Sequence, residues 1–256
     1  MLLRRITKHV QDQNWFAVAI DFAIVVIGVF VGIQLGNWND ARLQQQSANA
    51  YIERLRDDLT ANRDDFEQRL VYFTQVQEAA QNALKALDQP SETLGERFLI
   101  DVFNASQKLP REFGRDTYDE ILSVGADNAI SNVVIRQRLA NHYRSIAAQL
   151  SNLKFEPPYR ELVRRELPYE IHRVLDRACG DLISTGAMGE PSIVLQSNCE
   201  PNLNQDLVAD TVEKILGADI RDDLNRRAID LDSKLNSIEL VIKRTVLLDE
   251  YLSQVE

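Results

Sequence analysis

Catalytic signatures are missing from this chain of 256 residues. It has no Gly-x-Ser-x-Gly, no His-Glu-x-x-His, no Walker-type glycine loop and no dinucleotide fingerprint, so none of the short patterns that place a nucleophile, a zinc pair or a phosphate cradle is present. Histidine is scarce, with three in all. One trio, His172, Asp176 and Cys179 in "IHRVLDRAC", falls at i, i+4 and i+7 on one helix face. Such a set could hold a metal or serve a thiol nucleophile, but Cys179 has a better use, given below, and a structural role outweighs a chemical one. No catalytic, metal-binding or cofactor-binding residue is therefore assigned, and no cofactor is expected.

Long basic runs are also absent. The formal net charge is −10 and the isoelectric point about 4.9, which makes nucleic acid a poor partner. The "RDD" runs at Arg56 and Arg221 read as solvated ion pairs on helix faces, and Arg164 with Arg165 as an ordinary surface pair. Glycine and proline are few, 10 and 7, and Leu, Ala, Gln, Glu and Arg are plentiful, a composition that favours helices. No internal repeat or low-complexity segment interrupts the chain.

One long apolar run stands against this polar background. The stretch "NWFAVAIDFAIVVIGVFVGIQLGNWN" puts Trp15 and Trp38 at the ends of a segment whose one charge is Asp21. At ~1.5 Å per residue the two indoles lie roughly 35 Å apart, enough to cross a hydrocarbon core of about 30 Å, and tryptophans at both ends suit interfacial anchoring. The run is longer than the apolar region of a cleavable signal, and "LGNWND" lacks the small-x-small pattern that cleavage prefers. Arg4, Arg5 and Lys8 precede it, so the positive-inside rule keeps residues 1–14 in the cytoplasm and sends 39–256 across. The domains read as a short basic cytoplasmic tail (1–14), a transmembrane helix (15–38) and an extracytoplasmic helical domain (39–256).

Within the span, Gly28, Gly32 and Gly36 recur at every fourth position. On a helix they form a shallow groove, and Asp21 falls within about 20° of the same face at ~100° per residue. Small residues so spaced let two membrane helices approach closely, while an acid at membrane depth costs ~2.5–3.5 kcal/mol and usually faces protein. Together they predict a helix partner, either a second copy or a larger membrane complex.

The two cysteines test the topology independently. Cys179 and Cys199 flank "GDLISTGAMGEPSIVLQSN", a glycine-containing segment read as a flexible loop. In an oxidising compartment they are natural disulfide partners, and closing a loop of this size contributes ~3 kcal/mol in the chain-entropy model.

After the span, apolar residues recur at helical spacing. Ile52, Leu55, Leu59, Phe66, Leu70, Phe73, Ala80, Leu84 and Leu87 form one stripe that stops before Pro90; Leu224, Ala228, Leu231, Leu235, Ile238, Ile242, Thr245 and Leu252 form another. Both approach a heptad seam, so two long helices should pack side by side. Shorter helices are expected over 94–108, 118–124, 130–153, 159–179 and 207–216, with breaks at "KLPREFGRD", "VGADN" and "FEPPY". The fold class is all-α: one N-terminal transmembrane helix followed by a bundle-like exported domain with two long heptad-patterned helices.

The span with "QLGNWNDARLQQQSANAYIERLRDDL", and the later "TYDEILSVGADNAISNVVIRQRLANHYRSI", resemble a family of bacterial single-pass membrane proteins of unknown function. Asp21, Asn37, Trp38, Asn39 and Asp40 match its acid-containing span and exit; Thr117, Tyr118, Ile130, Asn132, Arg138 and Tyr143 match its later block. Ser123-Val124-Gly125 and His142 depart from that pattern. The resemblance implies a bacterial inner-membrane protein with a helical periplasmic domain, and it brings no activity. Two functions fit the sequence: a non-catalytic accessory or scaffold subunit docking on a membrane complex, or a ligand-sensing ectodomain that signals through a partner protein.

Overall fold

A computed structural model describes residues 15–109, 111–154, 157–185, 191–196 and 198–255. The expected basic tail, 1–14, lies outside these. Among the described residues the regular structure is helical apart from one small hairpin. Helix α1 runs unbroken over Trp15–Ala86, 72 residues, because no proline occurs before Pro90 and only three glycines interrupt good helix formers. At ~1.5 Å per residue it is roughly 108 Å long. The apolar run and the first water-facing helix are thus one rod.

Every residue of α1 from 19 to 47 is exposed, and burial begins at Ala48. Beyond that point α1 packs against the long helix α9 (Arg221–Ser253). The pairing is antiparallel: Arg221 meets Asp88, Gln77 meets Asp232, and Arg56 donates to Asp249 at 2.9 Å. On α1 the buried seam is Ile52, Leu55, Leu59, Asn62, Phe66, Arg69, Phe73, Val76, Ala80 and Ala83. On α9 it is Leu224, Arg227, Leu231, Lys234, Ile238, Val241, Thr245, Leu248 and Leu252. Both alternate steps of three and four, the heptad geometry expected. The membership differs in detail. Leu70, Leu84, Leu87, Ala228, Leu235 and Ile242 are only partly buried beside the seam, while Asn62, Arg69, Arg227 and Lys234 occupy it. Reading by apolar residue type passes over polar side chains at core positions.

Between these rods lie α2 (Glu96–Ala105), α3 (Asp116–Ser123), α4 (Ala126–Ala129), α5 (Val133–Lys154), α6 (Pro158–Glu166), α7 (Tyr169–Cys179), β1 (Asp181–Thr185), β2 (Pro191–Leu195) and α8 (Gln205–Gly217). Helix α2 is buried at eight consecutive positions, Phe98 to Ala105, as a helix covered on all sides must be. The single helix expected over 159–179 is two, α6 and α7. Pro168 forces Leu167 into extended backbone, φ −73° and ψ 123°, and the helix cannot pass through.

A second correction concerns the segment between the cysteines, where strands replace the expected loop. Residues 181–185 pair antiparallel with 191–195, Asp181 opposite Leu195 and Thr185 opposite Pro191. Leu195 is buried, and its N–H donates to Gln75 Oε1 at 3.0 Å, which fastens the hairpin to α1. The sulfurs of Cys179 and Cys199 are bonded, with Cα atoms 5.2 Å apart. Gly180 starts the turn from α7 into the hairpin, and a Cβ there would lie 2.3 Å from the Asp176 carbonyl oxygen, so no other residue fits.

Two apolar cores result. The larger, far from the span, gathers Phe66, Phe73, Phe98, Phe103, Tyr159, Ile171, Leu175 and Ile238 with their neighbours. The smaller lies at the end nearest the span and joins Ile52, Leu55 and Leu59 to Ile121, Ile130, Ile135, Leu139, Tyr143, Leu248 and Leu252.

Candidate interaction surface

The apolar half of α1 is the one helix among the described residues long and apolar enough to cross a membrane, and none of its most apolar window is buried. Phe22, Ile27, Phe30, Ile33, Leu35 and Trp38 are each more than half exposed. A soluble core helix would hide these side chains; here nothing among the described residues covers them. Trp15 opens the helix, and Asp21 lies on the same exposed length.

Gly28, Gly32 and Gly36 have open space where a Cβ would stand. Because α1 is continuous, its angular phase carries from the apolar half into the folded half. Counted at ~100° per residue, the glycines point to roughly the opposite side from the Ile52–Phe73 seam that α9 covers. A helix approaching the glycines would therefore not meet α9.

The later block of the family resemblance is assembled in the core nearest the span. Tyr118 stacks on Tyr143 at 4.1 Å and 12°, and the Arg138 guanidinium lies 3.9 Å over the Tyr251 ring. Ile130 is buried. Asn132 Oδ1 accepts the N–H groups of Val134 (2.9 Å) and Ile135 (3.4 Å) and so caps α5. The Thr117 N–H donates to Asp58 Oδ2 at 3.2 Å. Tyr118 on Tyr143 ties α3 to α5, Arg138 on Tyr251 ties α5 to α9, and Thr117 on Asp58 ties α3 to α1, so these contacts hold the elements together.

Charged groups are buried elsewhere for a structural reason as well. The last carbonyls of α2 lack intrahelical partners, and cationic side chains fill the gap. Arg227 donates from Nε to Ala105 O (3.0 Å) and from Nη2 to Gln107 O (2.8 Å), and Arg160 Nη1 donates to Ser106 O at 2.8 Å. Tyr159 OH donates to Val102 O at 3.1 Å. Positive charge at the negative end of the helix dipole adds to the hydrogen bonds. Burial nevertheless pulls the Arg227 pKa down to about 10. Lys234, one heptad later and 4.8 Å over the Phe73 ring, falls to about 8 for the same reason.

His142, on α5, is buried with neither ring nitrogen hydrogen-bonded. Burial, helped by the nearby Arg244 charge, lowers its pKa to about 4, so the folded state holds the ring neutral. An unfolded His takes up its proton near pH 6.5. Below that pH the unfolded chain binds more protons than the folded one, and stability falls until about pH 4 is passed. Replacing His142 by Leu should remove this component: across pH 6.5 to 4 wild type should lose up to ~1.4 kcal/mol per pH unit more than the variant, read from urea unfolding at each pH.

The trio His172, Asp176 and Cys179 makes no reactive centre. His172 rests edge-on against Phe103 at 5.4 Å, and Cys179 is in the disulfide. No group of three or more metal-ligating side chains occurs among the described residues. A shallow open cleft lies between the 3-10 turn at Ser91–Thr93 and α8, lined by Ser91, Glu92, Leu94, Val212 and Leu216. Comparison with protein-family models, with curated proteins and with solved structures finds no match to this chain.

Proposed function

We propose that this protein is a non-catalytic, single-pass membrane protein that serves as an accessory or scaffold subunit. Its α1 spans the bacterial inner membrane, residues 1–14 lie in the cytoplasm, and the helical domain stands in the periplasm. The observation that carries this reading is the exposure of α1 from residue 19 to 47, with open space at each of its three glycines. A helix of that composition needs lipid or other helices around it. The disulfide suits an oxidising compartment, and the likeness to the bacterial single-pass family points the same way.

The glycine face and Asp21 supply the docking surface for another transmembrane helix. Gly28→Ile and Gly32→Ile should each weaken association through the span while leaving insertion intact, since Ile is favoured in hydrocarbon. Asp21→Asn separates an ionic partner from a merely polar one. Association is measured by in-membrane cross-linking at matched expression, with Ile24→Val as control. Mass spectrometry of the detergent-purified protein then identifies what accompanies it. Unchanged association in both glycine variants would reduce α1 to an anchor, and a lone protein with no companion would remove the subunit reading.

A further inference from the structure

Three element ends meet on the side of the folded domain that faces the span. Helix α3 runs toward it: the Thr117 N–H sits on Asp58, and Glu120 reaches Tyr51 and Arg54. Each turn of α3 thus moves one turn down α1, which brings Val124 level with about residue 48 at ~1.5 Å per residue. Helix α5 leads away again. Arg138 is level with Tyr251, and Arg244 with Ser145, while Arg56 pairs with Asp249. Val133 and Val134 therefore stand near the same height as Val124, beside the end of α9.

This tip is unlike the rest of the folded domain. In "ILSVGADNAISNVVI", Ile121 to Ile135, the one charged residue is Asp127, in a chain where 27% of residues are charged. Ile121, Ile130 and Ile135 are buried. Leu122, Val124, Val133 and Val134 point outward and are 48%, 47%, 52% and 45% exposed. Gly125, at φ 92°, makes the turn that holds α4 across the end.

We propose that this apolar tip rests on the bilayer surface and that α1 crosses the membrane tilted toward it. The inference rests on α1 being a membrane span. Trp15 and Trp38 are 23 residues apart, ~35 Å along α1, against a hydrocarbon core of about 30 Å. A tilt of roughly 30°, inside the range natural spans adopt, reconciles the two lengths. Upright, the tip would stand ~15 Å beyond Trp38, clear of the headgroups. Because the tip lies about one helix spacing, ~10 Å, to the side of α1, a 30° tilt in its direction lowers it by a further ~5 Å, to headgroup level. There, four aliphatic side chains among neutral Ser and Asn residues can reach from the headgroup layer toward the acyl chains. Lipid, rather than a protein, is the occupant that this length mismatch and the depletion of charge favour.

The test uses the full chain in phosphatidylethanolamine and phosphatidylglycerol vesicles that carry lipids with a nitroxide near the headgroup. A bimane fluorophore is placed through Val124→Cys, Val133→Cys, Leu35→Cys within the span, or Ile229→Cys, which is exposed on α9 near the far end. The native cysteines are disulfide-bonded and do not compete for label. Emission at Val124 and Val133 should drop by about twofold or more, as for side chains buried at the interface, and Ile229 should be unaffected. Quenching at Leu35 with none at Val124 or Val133 overturns the tip while leaving the span intact. Loss of quenching at Leu35 as well overturns both. Shielding of Val124 and Val133 from lipid nitroxide and aqueous iodide alike assigns the tip to a protein partner and overturns the lipid contact.

Discussion

Replacing Arg227 with alanine should cost about 3–5 kcal/mol, the penalty typical of breaking a buried charged network. The side chain is 2% exposed and donates to the carbonyls of Ala105 and Gln107. Truncation leaves both carbonyls without a donor, empties a large volume in the seam with α1, and removes a positive charge from the end of α2. Arg227→Met separates these effects, since it refills much of the volume and still orphans the carbonyls. It should fall between wild type and Arg227→Ala. Arg226→Ala, one residue away and exposed, should change stability by less than ~0.5 kcal/mol. Urea unfolding of the full chain in mild detergent, followed by helical circular dichroism, reads all three. A near-neutral Arg227→Ala would mean that water reaches α2's end and that the clamp is not needed.

Cys199→Ser should cost ~3 kcal/mol by the loop-closure argument, and the loss should be centred on one end of the domain. The bond ties the start of the hairpin, where Cys179 ends α7, to the segment leading into α8, and Leu195 holds the same hairpin against α1. Reduction should therefore expose the hairpin to proteolysis before the core nearest the apolar half of α1 opens, because the two apolar cores have no buried residue in common and only the partly buried Phe113 packs against both. Limited proteolysis with and without reductant, followed by mass mapping, checks this. Equal cleavage at both ends would show that the domain opens as one unit.

Much of the architecture was legible because it rests on periodicity and length. An apolar run of more than 20 residues, a three-four spacing sustained over five heptads and few helix breakers each have one cheap physical solution. The all-α class, the long N-terminal apolar helix and the pairing of the two long helices follow from these. Pro168 is an equally plain stop signal for α6, set within an otherwise helical pattern of apolar residues. The hairpin after Cys179 was harder: "DLIST" and "PSIVL" are five-residue segments, too short for periodicity to tell strand from loop, and their pairing becomes favourable only once α1 supplies a surface to dock on.

The polar seam positions had no signal of that kind. Arg227 and Lys234 sit at heptad places where an apolar residue is expected, and read along the chain they resemble the solvated Arg226 beside them. What distinguishes Arg227 is the end of α2, more than a hundred residues earlier in sequence, whose unpaired carbonyls it meets only in the folded state. His142 likewise reads as an ordinary helix residue until α9 closes over it and brings Arg244 near.

The sequence by itself determined the chain's division into an apolar rod and a charged helical domain, because hydrophobic length and helical period are properties of neighbouring residues and need no partner to be read. Tertiary structure alone decided that the glycine face, carried along α1, lies opposite the seam that α9 covers, and that Leu122, Val124, Val133 and Val134 gather at the end of the folded domain nearest the apolar half of α1. Those facts depend on where distant segments dock against α1, and local pattern carries no information about docking between segments far apart in the chain.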